Sequence, residues 1–423
     1  MFKKSIIRVL AITIIGLAAS SSAEAAFVVG GENGWQMSFD GMINAFMTYT
    51  VNDKDPVGTT NNGSVGIDIG PGNTRQGFRI HTGLVPSILA FNVKSPNING
   101  VDYAARIALM PQINNFGTRT GFGPDSPGGP RLDIREVFMT ADGAFGQFLV
   151  GRALYLYQGR NLLTDMTING VGVNGGLLGG GTTLGHIGYG YLYTDFGAQF
   201  RYTTPDYSGF KWAFSLNDPS RIVSDEGYQA TTINQPRFET ELSYGTTYSG
   251  GKMQAWLSAM YQEAKSNSEG HKVASIGGAG GVQASYGPVE AVVSLYGGKG
   301  LGSTFIQDFD ALDFTGKERT QYGGLIQCLY SIGKAKLGVN YGINYSDRTD
   351  AEIARQQGAV IPGDIYGSGI AVLKSQQALV GGLYYSVNKY LQLVGEYTWA
   401  RNSWYNGQKQ DANTVALGTI FIW

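Results

Sequence analysis

Hydrophobic alternation with a period of two residues constrains this chain more than any other feature. From Met37 onward, Phe39, Gly41, Ile43, Ala45, Met47, Tyr49 and Val51 form one face. Ser38, Asp40, Met42, Asn44, Phe46, Thr48 and Thr50 form the other, which is mixed and mostly polar. Strands place alternate side chains on opposite faces; helices do not. The pattern returns where Phe78, Ile80, Thr82 and Leu84 alternate with Arg79, His81 and Gly83. It returns again where Tyr103, Ala105, Ile107 and Leu109 alternate with Asp102, Ala104, Arg106 and Ala108. Single arginines in the polar register of apolar strands suit a barrel with lipid outside and a polar lumen.

Alternation and turn residues together give about sixteen strands, an even number as bacterial barrels have. Tight links fall at Ser95 to Gly100, Ala141 to Ala144, Pro205 to Gly209, Gly287-Pro288 and Val387 to Lys389. Long polar stretches fall between them, at Asn52 to Asn73, Arg160 to Gly188, Asn217 to Pro236 and Asp347 to Ser368. Short periplasmic turns on one rim and long extracellular loops on the other describe an all-β, transmembrane antiparallel β-barrel. A lumen of that strand number is wide enough for water.

Composition agrees. Glycine supplies 63 of 423 residues, about twice its usual ~7% share and poorly tolerated in helices. Charged residues make up only 15%, with a net charge of −1, so nothing points to nucleic acid. Cys328 is the one cysteine, so no intrachain disulfide staples the fold, and closure of a sheet on itself is the alternative. The chain opens Met1-Phe2-Lys3-Lys4, runs apolar from Val9 to Ala19 and reaches Ala23-Glu24-Ala25. These are the parts of a secretory signal peptide, with cleavage expected after Ala25. Residues 1–25 thus read as leader and 26–423 as the barrel. No later apolar run escapes interruption by polar residues or glycines.

Several segments resemble the Gram-negative general porin family. Arg135-Glu136-Val137-Phe138-Met139-Thr140, Gly143-Ala144-Phe145-Gly146-Gln147-Phe148 and Gly151-Arg152 match its strand, aromatic turn and Gly-Arg pair before the third loop. Phe200-Arg201-Tyr202 with Pro205-Asp206-Tyr207-Ser208-Gly209-Phe210 matches the strand-turn-strand after it, and Glu396-Tyr397-Thr398 precedes the closing strand. The resemblance implies passive diffusion of small hydrophilic solutes and ions, a homotrimer, and contact with membrane lipids and lipopolysaccharide. It also implies that the third loop, Ala153 to Tyr191, folds into the lumen and opposes an acidic residue to wall arginines. Asp165 is the loop acid and Arg201 the matching wall arginine; parity adds Arg106, Arg79 and Arg135. Asp165 is the sole carboxylate from Leu163 to Gly190, which favours weak anion preference or no selectivity. Val415, Leu417, Thr419, Phe421 and Trp423 alternate up to the terminal residue, like the signal read by the barrel-assembly machinery.

Other motifs carry less. Gly170-Val171-Gly172-Val173-Asn174-Gly175 spells the dinucleotide fingerprint but lacks the strand and helix it needs. His81, His186 and His271 stand far apart, with no triad or metal spacing, so neither an enzyme nor a cofactor is expected. Asp308, Asp310 and Asp313 crowd one loop and read as solvated acids. A substrate-specific channel for a sugar or phosphate is the competing function, an outer-membrane barrel enzyme a weaker one. A plugged lumen would need a folded plug domain, and the sequence shows none.

Overall fold

The computed structural model describes residues 27–54, 56, 58–59, 76–114, 132–174, 182–224, 228–266, 271–307, 310–361, 364, 367 and 369–423. The leader, residues 1–25, lies outside the described residues. Alternating residues run into strands, and these close into a 16-strand antiparallel barrel. Its first strands are β1 (Gln36–Asn52), β2 in two halves (Gln76–His81 and Ile88–Lys94), β3 (Asp102–Pro111) and β4 (Leu132–Gly143). Next come β5 (Gly146–Leu154), β6 (Phe196–Thr203), β7 (Phe210–Asn217) and β8 (Arg237–Tyr248). Then follow β9 (Gly251–Ser266), β10 (Lys272–Tyr286), β11 (Val289–Lys299) and β12 (Thr320–Ile332). The last are β13 (Ala335–Ser346), β14 (Leu373–Ser386), β15 (Leu391–Trp404) and β16 (Lys409–Ile422).

The seam is closed by pairing of β16 with β1, from Met42 opposite Ile422 to Asn52 opposite Ala412. Below it, Gly41 and the terminal Trp423 exchange backbone bonds of 3.0 and 3.1 Å. A Cβ on Gly41 would collide with the Trp423 ring, so the glycine makes room for the closing aromatic. Among the described residues no helix is long and apolar enough to cross a membrane. The spanning elements are strands.

The two faces sort as alternation demands. Ile43 is 53% exposed, Leu257 65% and Leu417 55%, all on the outer wall. Exposure of large apolar side chains to this degree is stable only against lipid. Their neighbours Asn44, Ser258 and Ala416 point inward and are buried. Turns occur where the sequence places them, with Gly287, Gly209 and Gly100 all at positive φ. Not every outer connection is long, however: β15 and β16 are joined by residues 405–408 alone. The alternation through Thr82 and Leu84 also fails. β2 breaks after His81, and Thr82, Leu84 and Val85 turn inward and are buried.

Candidate functional site: the lumenal constriction

The connection between β5 and β6 turns into the lumen and is buried over most of residues 155–174 and 182–194. Its route is fixed by hydrogen bonds to inward-facing wall residues. The N–H groups of Leu156 and Tyr157 donate to Glu239 Oε2 on β8 at 2.7 and 3.1 Å. A short helix α1 (Gly159–Leu163) follows. There Arg160 Nε donates to Glu241 at 2.6 Å, and Trp256 Nε1 of β9 to Asn161 Oδ1 at 2.8 Å. Gln327 of β12 accepts from Met166 N at 2.7 Å and donates to Thr164 O at 3.0 Å.

Asp165 sits at the centre of this insertion. Its Oδ1 accepts from Thr167 N at 2.9 Å and from Asn340 Nδ2 of β13 at 3.0 Å. Its Oδ2 accepts from the Tyr191 hydroxyl at 2.7 Å and from His186 N at 3.2 Å. Burial raises the Tyr191 pKa well above its ordinary value, and the Asp165 charge raises it further. Tyr191 therefore stays protonated, as a donor must. On β15, Glu396 accepts from Val171 N at 2.8 Å, Gly172 N at 2.9 Å and the Tyr384 hydroxyl at 2.6 Å. Three donors converge on this one carboxyl group, which makes Glu396 a principal anchor. Val171 and Gly172, within the fingerprint stretch, thus cradle a carboxyl group of their own barrel.

Glycine permits these approaches. A Cβ on Gly170 would overlap the Glu396 carboxylate; one on Gly83 would overlap Gly170 O; one on Gly342 of the wall would overlap Tyr189 O. The inward break in β2 meets the insertion there: Leu84 N donates to Gly170 O at 2.9 Å and Thr183 N to Gly83 O at 3.1 Å. Met42, Phe46, Leu84, Met166, Ile168 and Val171 pack into one apolar cluster inside the barrel. The insertion is a loop folded into the lumen and held against the wall.

The arginines named from sequence divide. Arg106 is 1% exposed and faces the lumen, but its Nε meets Glu136 at 2.7 Å and its Nη1 meets Asp40 at 2.8 Å. Arg201 also faces inward, beneath the insertion, donating to Leu154 O and to Gln199 Oε1. Arg79 lies opposite Thr48 in the inward register nearer the long-loop rim. Arg135 and Asp133 share the inward side of β4, opposite the outward Leu132 and Ile134, beyond a register shift between Ala108 and Met110. The Arg135 Nε pairs with Asp133 at 2.7 Å and its guanidinium lies 5.9 Å from the Phe196 ring, so its partner is Asp133 and not Asp165.

The wall carboxylates Asp40, Glu136, Glu239, Glu241 and Glu396 escape a search for loop acids opposed to wall arginines. Parity holds the missing signal, since Val394, Glu396 and Thr398 share the buried face of β15. With Asp165 they share the lumen with Arg106, Arg160, Arg201 and Arg237. Asp310 and Asp313 are also buried, at 2% and 0% exposure, and are not solvated acids. Burial without pairing would be costly, and both have partners.

The Gram-negative porin family model matches residues 10–405. The outer membrane channel DcaP of Acinetobacter baumannii superposes with a TM-score of 0.67 at 16% identity, over 94% of this chain and 100% of that one. The anion-selective porin of Comamonas acidovorans gives 0.57 at 13% identity, over 92% and 100%. Salmonella typhi OmpF gives 0.57 at 10% identity, over 92% and 98%. No curated protein matches the sequence significantly.

Proposed function

The chain belongs to the Gram-negative porins, and from that membership we propose a passive, narrow diffusion channel for small hydrophilic solutes and ions. Family and fold point to an outer-membrane channel and away from an enzyme. The observation that carries the narrow reading is the burial of residues 155–174 and 182–194 of the insertion, bonded to inward-facing residues from β8 round to β15. Offsetting charges on wall and insertion favour the non-selective branch over anion preference. The inserted loop also favours the competing reading, a substrate-specific channel on the same barrel. We further propose residues 1–25 as the export leader and Phe421 with Trp423 as the contact for the barrel-assembly machinery. The outer wall is proposed to meet lipids and lipopolysaccharide. A homotrimer is supported by the trimer form of Vibrio cholerae OmpT, with a TM-score of 0.51 at 12% identity over 92% of this chain and 100% of that one.

Single-channel recording in planar bilayers under a salt gradient tests the reading. Small unitary steps, linear in salt, with a reversal potential near zero are expected. Saturation with one solute would establish the substrate-specific alternative, and the absence of any current from folded protein would sink both.

A further inference from the structure

His186 is wholly buried inside the barrel, at 0% exposure, on the return arm of the insertion. A tight turn follows it, closed by Tyr189 N donating to His186 O at 2.8 Å, and brings the Tyr189 carbonyl back onto the ring. Nδ1 lies 2.9 Å from that carbonyl, and Nε2 lies 2.8 Å from Asn340 Oδ1 on β13. Gly342, the next inward position along β13, makes room for the turn: a Cβ there would overlap Tyr189 O and stand 2.9 Å from Nδ1.

Both ring nitrogens end on acceptors. A peptide carbonyl has no proton to give. A side-chain amide can present either end, but the other bond of Asn340 fixes it, since Nδ2 donates to Asp165 Oδ1 at 3.0 Å. Reversing the amide would set its oxygen against the carboxylate, so Oδ1 faces the ring. Asp165 takes only donors: Thr167 N, Thr167 Oγ1, the Tyr191 hydroxyl, His186 N and Asn340 Nδ2. An acceptor with no proton of its own is the ionised carboxylate. Each ring nitrogen of His186 must then donate, and an imidazole donates from both only as the cation.

The surrounding charges agree. Among the described residues no lysine or arginine bonds Asp165. The wall side chains that meet this part of the insertion are neutral or acidic: Gln327 on β12, Asn340 on β13, Tyr384 on β14 and Glu396 on β15. Tyr189 and Tyr191 are the other titratable groups beside the ring on the insertion itself. A buried ion without a counter-charge is costly. We propose that His186 is an imidazolium, joined to Asp165 through the Asn340 amide, and that it cancels the charge of the loop acid. Leu163 to Gly190 holds no lysine, arginine or glutamate, so with His186 charged this stretch is neutral, and without it Asp165 acts alone on passing ions. His186 is thus a specificity-determining residue, and the inference rests on the channel reading, whose non-selective branch it deepens.

The chain has three histidines, so nitrogen-isotope labelling of histidine in the folded protein gives three rings, and His186→Gln assigns one. Both ring nitrogens of His186 should carry protons at about pH 7; one bare nitrogen would overturn the proposal whatever the channel does. Glutamine keeps an N–H for Asn340 without the charge. In planar bilayers His186→Gln should raise the cation-to-anion permeability ratio about twofold, the effect of one unit charge roughly 10 Å away in water. Adding Asp165→Asn should return the ratio to the wild-type value, which a general loosening of the insertion would not do. The difference between wild type and His186→Gln should be the same at about pH 5 as at about pH 7. A difference that appears only on acidification, or none in folded protein, would overturn the proposal. Two protonated nitrogens in a protein that passes no current would leave the charge assignment standing and overturn the channel reading instead.

Discussion

Arg152 is the outer wall's anomaly. It pairs with Val137 on one side and Ala198 on the other, both on the outer face, and is itself exposed. Along β4, Met139 lies below its level and Ile134 and Leu132 above, at 45%, 45% and 60% exposure, so its surroundings are apolar. From the turn at Gly146 the strand climbs to Arg152 at ~3.4 Å per residue. With a tilt of about 40° this places the guanidinium roughly 15 Å up, inside an apolar band ~25 Å tall. An arginine facing lipid there costs about 2–4 kcal/mol. Replacement by leucine would then stabilise the protein, shifting the unfolding constant roughly 30- to 700-fold. If a neighbouring protomer covers this wall, as the trimer proposal requires, the sign reverses. Arg152→Leu then strips a charge from an interface, where truncating one partner of a buried pair costs ~2–5 kcal/mol. The assay is trimer fraction against temperature in detergent, by light scattering after size exclusion. A lowered trimer midpoint is expected. A raised midpoint, or an unchanged oligomer with higher stability, would refute the reasoning and assign this wall to lipid.

Three further outcomes follow from the constriction. Gly342→Ala places a methyl group against Tyr189 O and should cost about 1–3 kcal/mol of stability through overpacking while enlarging single-channel conductance. Glu396→Gln weakens the grip on Val171 N and Gly172 N, so current noise should rise and the reversal potential should move toward anions; an unchanged potential would remove Glu396 from the ion path. Tyr191 has a folded-state pKa raised above its unfolded value, so its contribution is complete below the unfolded pKa and is lost as pH rises toward the folded one. Conductance should therefore be flat from about pH 7 to 9 and increase only above about pH 10; an increase near pH 8 would exclude the Tyr191–Asp165 bond as a closing contact.

The barrel was legible in the sequence because alternation is a local signal: Ile43, Met47 and Tyr49 against Asn44, Thr48 and Thr50 need no distant partner to be read. Turns were legible for the same reason, through Gly209, Gly287 and their neighbours. The site was legible only in part. Resemblance and parity named Asp165, Arg201 and Arg106, and all three lie in the lumen. Their pairings were hidden, because Asp40 and Glu136 reach Arg106 from strands far apart in sequence, and Asn340 reaches Asp165 across 175 residues. Arg135 also faces inward, but its pairing with Asp133, beyond a bulge that parity cannot detect, was hidden in the same way.

The glycine excess carries a meaning that composition alone conceals. In the strands it agrees with an all-β chain, and in the Gly170–Gly181 run it suggests a slack loop. The structure gives it a different use at Gly83, Gly170 and Gly342, where backbone meets backbone or carboxylate with no room for a methyl group. A loop that must lie against a barrel wall has to remove side chains from both surfaces, which explains why wall and insertion share the same residue. It also explains how a lumen rich in carboxylates holds an ordered segment. Glu239 and Glu396 turn toward main-chain N–H groups that no side chain shields. These carboxyl groups are engaged in holding the insertion in place, so any variant that restores bulk at these glycines should displace the insertion and widen the channel.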